Sequence, residues 1–306
     1  VSRRGRASRP RRTLQTYTDL HQWSIQQKHH FWSDLWDAVG IVASKKGDCI
    51  VSDGELMPGA QWFPQAKLNF AANLLKYKDE QTALVFCGED GHRHQISYAQ
   101  LYARVAQLTA GLKAYNIKPG DRIAGFMPNV IDAVAAMLAT ASLGAVWSSC
   151  SPDFGINGVL DRFGQIKPRI LFTTDGYLYN GKRLNSLERV ASIAKHLDSI
   201  EAIVVCDHIT NKADLSALNA MVPNKAIHWD DFVDVSASEI DFVDCNFSDP
   251  LYIMYSSGTT GVPKCIVHSV GGTLLQHNKE HLLHTNVSRD DVLFYCHCKY
   301  QGRCRR

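Results

Sequence analysis

Tyr255-Ser256-Ser257-Gly258-Thr259-Thr260-Gly261-Val262-Pro263-Lys264 is a loop whose residue types suit a phosphate. The apolar run Leu251-Tyr252-Ile253-Met254-Tyr255 reads as a buried strand leading into it, and Cys265-Ile266-Val267-His268 reads as a second strand leading out. Gly258 and Gly261 admit positive φ and close approach of the backbone, and consecutive N–H groups in such a turn form an anion-binding concavity. The Ser and Thr hydroxyls add donors, and Lys264 adds a mobile positive charge at the rim. The spacing excludes the Walker A loop, in which the second Gly is followed at once by Lys and then Ser or Thr; here Val262-Pro263 intervene. A polar hairpin turn is the plain alternative for such a cluster, but this order of residues, ending in Pro-Lys, favours the anion loop.

The rest of the composition frames that loop. With 306 residues and 45% hydrophobic content, the chain is large enough to bury a sizeable core in one large or two moderate domains. Residues 1–12 carry six Arg and no acid, and residues 299–306 carry one Lys and three Arg, so removing those ten from the net +3 leaves −7 for the body. The basic character therefore belongs to the tails, and a nucleic-acid-binding body is not expected. No apolar run approaches the ~18 residues of a membrane span, and the N-terminus lacks the apolar core of a secretory signal. The Arg-rich start has no apolar face, as an import sequence would need, and the missing initiator Met points to a fragment. Nine cysteines are scattered without C-x-x-C pairs, the usage of a reducing compartment, so a cytosolic location is expected. Cys296-His297-Cys298 with Cys304 matches no standard zinc spacing.

Along the chain, Trp23, Phe31, Trp32, Leu35, Trp36 and Val39 form an aromatic helical stripe over 13–40, read as core. Segments 83–87 and 94–98 flank Gly88-Glu89-Asp90-Gly91 as a hairpin would. Leu101, Val105, Leu108 and Leu112 predict a helix over 99–115, followed by a strand over 122–127, a small-residue helix over 130–143 and a strand over 145–148. Helical 160–166, extended 169–174, helical 187–197 and extended 202–206 repeat the alternation, which implies parallel crossovers and an α/β architecture. Residues 207–248 read as a long polar connection, with a short strand at 226–229.

Asp249-Pro250-Leu251 leading into the loop resembles the signature of the adenylate-forming superfamily, which includes the acyl-CoA synthetases. Trp62-Phe63-Pro64 and Leu68-Asn69-Phe70-Ala71-Ala72-Asn73-Leu74-Leu75 resemble the N-terminal segment of the acetyl- and acetoacetyl-CoA synthetases. The stretches Gly144–Gly155 and Gly271–His277 resemble the acetoacetyl-CoA synthetase branch, and the likeness runs from about Leu20 to about Tyr295. It implies the large N-terminal domain of that α/β fold, with stacked α/β sheets and part of a small barrel. It also divides the chain into a basic arm (1–12), a helical segment of acetyl-CoA synthetase type (13–75), an incomplete AMP-binding domain (76–295) and a tail outside the family pattern (296–306).

The implied chemistry has two steps: a carboxylate attacks the α-phosphate of ATP, giving an acyl-adenylate and pyrophosphate, and the thiol of coenzyme A then displaces AMP. In that scheme Ser256, Ser257, Gly258, Thr259, Thr260, Gly261 and Lys264 hold the ATP phosphates, Mg²⁺ shares the charge, and acetoacetate is the acid. The Asn180-Gly181-Lys182-Arg183 stretch aligns with an Arg-Gly-Gly-Lys segment that meets the CoA nucleotide in acetyl-CoA synthetases, which makes Lys182 and Arg183 candidate CoA contacts. Tyr179-Asn180 replaces the first Arg of that pattern, so a solvated basic turn is the alternative. His268 is read either as bordering the acid or as a satisfied polar residue at a strand end. Beyond Tyr295 the sequence departs from the family, whose catalytic lysine is expected past the end of this chain. Two readings follow: an acetoacetate–CoA ligase given in part and inactive alone, or a truncated product acting as a non-catalytic nucleotide- or partner-binding module. Acetate or another short-chain acid is the alternative substrate.

Overall fold

The computed structural model describes residues 15–256 and 261–294. The aromatic stripe is two helices, α1 (Tyr17–Gln26) and α2 (Lys28–Val39). A capping box opens α1: the Thr16 hydroxyl accepts from the Asp19 N–H while the Asp19 carboxylate accepts from the Thr16 N–H. In α2 Leu35, Trp36 and Val39 are buried, Trp36 stacks on Phe63 with ring centroids 4.8 Å apart, and Phe31 and Trp32 pack half-buried against them, so this part of the stripe is core as expected; α1, which carries Trp23, has no buried residue. Short strands β1 (Ala43–Lys45), β2 (Val51–Ser52), β3 (Gln61–Trp62) and β4 (Lys67–Leu68) lead to α3 (Phe70–Leu74).

The hairpin of β5 (Thr82–Cys87) and β6 (Arg93–Ser97) pairs as expected and runs into α4 (Tyr98–Ala114), capped by Ser97 and Gln100. Then follow β7 (Arg122–Phe126), α5 (Ile131–Ser142), β8 (Val146–Cys150), α6 (Ile156–Ile166) and β9 (Ile170–Thr174). A second hairpin, β10 (Gly176–Tyr179) and β11 (Lys182–Asn185), precedes α7 (Leu187–Ala194) and β12 (Ala202–Cys206). The 207–248 connection holds the expected short strand as β13 (Ala226–His228), and beside it the unexpected α8 (Ser216–Met221), α9 (Trp229–Phe232) and β14 (Cys245–Asn246). Its apolar anchors, among them Leu218, Trp229 and Phe232, are too widely spaced for periodicity to reveal them. Strands β15 (Pro250–Tyr255) and β16 (Cys265–Ser269) and helix α10 (Val270–Asn278) follow.

Seven strands form the central sheet in the order β13-β12-β9-β7-β8-β15-β16. All neighbours pair in parallel except β15 with β16. Side chains alternate across it. Ile123, Ile170, Phe172 and Val204 join α4 and α5 in one apolar layer, while Ala124, Leu171, Ile203 and Val205 join α6 and α7 in the other. Helices thus cover both faces, as parallel sheets require. The other sheets among the described residues are small: β1-β4-β14 and three two-stranded pairs. Asn69 joins the N-terminal segment to the end of α5 and to the segment before β14. Its buried amide donates to the carbonyls of Ala141, Ser142 and Val243 at 3.0, 3.1 and 2.9 Å. No described helix is long and apolar enough to cross a membrane.

Candidate functional site

The loop read first in the sequence hangs between β15 and β16. Their last rung is Tyr255 opposite Cys265, and the Ser256 N–H donates to the Lys264 carbonyl at 3.1 Å, which closes the base of the loop. A strand follows the loop, whereas a helix follows a Walker A loop. Ser257, Gly258, Thr259 and Thr260 lie outside the described residues; Ser256, Gly261 and Lys264 are within them. Gly261 has φ of +100°, the conformation for which glycine was expected here. Lys264 is exposed and joins no ion pair among the described residues.

The strand before the loop is held by its parallel neighbour. The Ser148 hydroxyl on β8 lies 2.9 Å from both the Ile253 carbonyl and the Tyr255 hydroxyl. Burial raises the Tyr255 phenol well above its usual range, so it stays protonated at neutral pH. The Arg162 guanidinium of α6 lies 5.6 Å from the centre of the Tyr255 ring. His268 packs beside Tyr252, its cross-strand partner, with ring centroids 5.1 Å apart.

Lys182 and Arg183 lie on a β-hairpin. Asn180 and Gly181 both have positive φ, +51° and +71°, the two-residue turn that Asn-Gly favours, so this signal was legible beneath the basic-turn reading. Tyr179 faces Lys182 and Leu178 faces Arg183 across the ladder. Adjacent strand positions point to opposite sides, so Lys182 and Arg183 do not converge on one point. Arg183 donates to the Ile209 carbonyl at 3.1 Å and lines a cavity of about 510 Å³ with Phe86, His92, Arg104, Asp132 and Trp229. Lys182 is exposed and does not line it.

Within this cavity Arg104 pairs with Asp132, whose other oxygen accepts from the Cys206 thiol at 3.2 Å. Burial pushes that thiol well above its ordinary range, and burial lowers the His208 imidazole, keeping it neutral. The cavity opens at the carboxyl end of β12, four strand steps from β15, which at ~4.8 Å per step is roughly 19 Å from the loop. Sequence reasoning missed Ser148, Arg162 and Asp175, the last of which accepts from the N–H groups of His208, Ile209 and Thr210 on the cavity wall, because single polar residues in apolar or amphipathic segments carry no local signal of their partners.

Among the described residues no three or more His, Cys, Asp or Glu are grouped as a metal site, and all six cysteines there are free. The zinc arrangement weighed for Cys296, Cys298 and Cys304 lies outside the described residues.

Comparison with known proteins completes the picture. The family description "AMP-binding enzyme" matches residues 70–298, and "Acetyl-coenzyme A synthetase N-terminus" matches residues 17–74. The acetoacetyl-CoA synthetase of Gallus gallus is 42% identical over 92% of this chain and 43% of its own length. Malonamoyl-CoA synthetase vrtB of Penicillium aethiopicum is 41% identical over 92% of this chain and 40% of its own. The solved structure of acetoacetyl-CoA synthetase from Streptomyces lividans superposes with a TM-score of 0.82 at 37% identity, covering 89% of this chain and 41% of that one. The chain therefore spans under half the length of the relatives it matches. The parallel sheet, the strand–loop–strand at its edge and a match across 70–298 agree in one assignment: this chain belongs to the AMP-binding enzyme family.

Proposed function

We propose that this chain is the ATP-phosphate-binding portion of an acid–CoA ligase that joins acetoacetate to coenzyme A through an acyl-adenylate. The observation that carries the reading is the loop itself, closed at its base by Ser256 and Lys264, with Gly261 at φ +100° and an exposed lysine at the rim that joins no ion pair among the described residues. In this reading Ser256, Ser257, Thr259, Thr260 and Lys264 donate to the β- and γ-phosphates, and Gly258 and Gly261 let the backbone approach them. Their work is to neutralise the pyrophosphate leaving group.

Mg²⁺ fits as an ion that arrives with the nucleotide, since Mg²⁺ is commonly held by substrate phosphates and few protein groups. The loop hydroxyls are suitable oxygen donors for it. Lys182 and Arg183 are the candidate contacts for the phosphates of CoA, and their opposite orientation assigns any one phosphate to one of them. Residues 13–75 are taken as the acetyl-CoA synthetase-type segment and 76–295 as part of the AMP-binding domain, between a basic arm and a non-family tail. A cytosolic location and small-molecule partners, without nucleic acid, complete the reading.

Acetoacetate is supported by the names of the relatives, and the malonamoyl-CoA synthetase at similar identity makes the acid the point to test. The experiment is ATP–pyrophosphate exchange on the longest reading frame containing this chain, with acetoacetate, malonamate, acetate and butyrate in parallel. Exchange strongest with acetoacetate supports the proposal; exchange with acetate alone moves the assignment to an acetate ligase.

A further inference from the structure

Helix α6 touches both ends of the phosphate loop. At the entrance, Arg162 lies between two rings, its guanidinium carbon 4.4 Å from the centre of Phe154 and 5.6 Å from that of Tyr255. At the exit, the Gln165 side-chain amide donates to the Pro263 carbonyl at 2.9 Å, and its oxygen lies 3.5 Å from the Cys265 sulfur, which donates to it. Positions 162 and 165 are one helical turn apart and share a face. The helix itself is anchored, because Val159, Phe163 and Ile166 are buried against the sheet. Gln165 is exposed, and its amide is further directed by the Asp161 carbonyl at 2.6 Å.

The Pro263 carbonyl has a mechanical meaning. It belongs to the same planar peptide unit as the Lys264 N–H, so whatever holds that oxygen fixes the plane from which Lys264 departs. Within the ladder, the Lys264 carbonyl is taken by Ser256, while that of Pro263 is taken by Gln165. Strand β16 is the edge of the sheet, with no further strand beyond it among the described residues. Support for the exit of the loop therefore comes from the helix beneath.

We propose that Gln165 is a positioning residue that holds the Pro263–Lys264 peptide and so directs the Lys264 side chain toward the nucleotide, while Arg162 packs on Tyr255 at the opposite end. The inference rests on the phosphate reading of Ser256–Lys264 given above. Gln165 itself touches no nucleotide; it acts through the Pro263–Lys264 peptide.

The test is titration of Mg·ATP against the 306-residue chain carrying Gln165→Glu, Gln165→Leu, Lys264→Ala or Gln165→Leu with Lys264→Ala, with a melting curve for each. Gln165→Glu keeps the acceptor for Cys265 and removes the donor to Pro263, and it is compatible with an exposed helical position, so it serves should the Leu variant fold poorly. Loss of one such hydrogen bond corresponds to roughly three- to tenfold weaker ATP binding in both Gln165 variants, with the melting temperature of Gln165→Glu unchanged. On the Lys264→Ala background Gln165→Leu should add nothing, a result that a general loss of packing would not produce. If Lys264→Ala weakens ATP binding and both Gln165 variants bind as the unaltered chain does, the clamp is wrong and the phosphate loop stands. If neither Lys264→Ala nor the Gln165 variants change ATP binding, the phosphate reading fails and this inference fails with it.

Discussion

Asp175 holds Thr210 twice, its Oδ2 accepting from the Thr210 N–H at 2.9 Å and from the Thr210 hydroxyl at 2.6 Å. Its Oδ1 takes the N–H groups of His208 and Ile209 at 2.8 and 3.0 Å. One carboxylate, only 2% exposed, thus organises the turn that follows β12 and presents the Ile209 carbonyl to Arg183. Removing it leaves four donors of the half-buried turn without their acceptor, so Asp175→Ala should lower stability by about 2–3 kcal/mol. Asp175→Asn, which still accepts on one side, should lose less. Urea unfolding of the two variants checks the order.

Asn69→Asp exchanges a buried amide donor for an acid facing three carbonyl oxygens. The new carboxyl is expected to titrate above its unfolded value, so the folded state favours the protonated form. The destabilisation, about 3–5 kcal/mol at neutral pH, should therefore shrink as pH falls toward the unfolded carboxylate range. A stability profile from pH 7 to pH 4 that stays parallel to that of the unaltered chain would refute this.

Burial pushes the thiols of Cys150 and Cys245 up to about 12 and about 11, from an ordinary 9.0. Between those values the unfolded chain releases protons that the folded chain keeps, so stability should fall as pH rises above about 9. Cys87, which is exposed, should react with iodoacetamide at pH 8 while Cys150, Cys206 and Cys245 remain unmodified until denaturant is added. Mass spectrometry of the labelled peptides reads the outcome.

Lys264→Ala should weaken ATP binding about tenfold or more, the scale of a charge-assisted contact, while moving the unfolding free energy by less than about 0.5 kcal/mol, since the side chain is exposed. Unchanged affinity would remove this residue from the site.

Gly261 has open space where a Cβ would stand, but a φ of +100° that other residues rarely adopt. A strain of about 1–3 kcal/mol is therefore expected from conformation rather than from collision. Gly261→Val should impair ATP binding more than Gly261→Asn, because Asn tolerates positive φ better. Equal affinities in the two variants would show that the loop does not need this conformation.

How far the sequence speaks follows from where its information is stored. The alternation of helices and strands from residue 98 to 206 was legible, apart from the β10–β11 hairpin, because each element carries its own period: Leu101, Val105, Leu108 and Leu112 line one helical face, and Ala202–Cys206 is apolar throughout. A turn between 255 and 264 was legible because positive φ calls for glycine, and Gly261 has a φ of +100°. Of the segment 207–248 the short strand at 226–228 was legible, but α8, α9 and β14 were not, since they are short, and the turn at 208–210 depends on Asp175, more than thirty residues upstream. The divergence of Lys182 and Arg183 follows from hairpin register, which sets neighbours on opposite faces. The grip of Gln165 on Pro263, 98 positions apart, and of Asn69 on Val243, 174 apart, exists only once the sheet is assembled. Local residue types determined which segments form helices and strands and where the chain turns between β15 and β16; the tertiary structure alone decided which distant polar groups meet, because a hydrogen bond across the fold leaves no periodic trace in either partner.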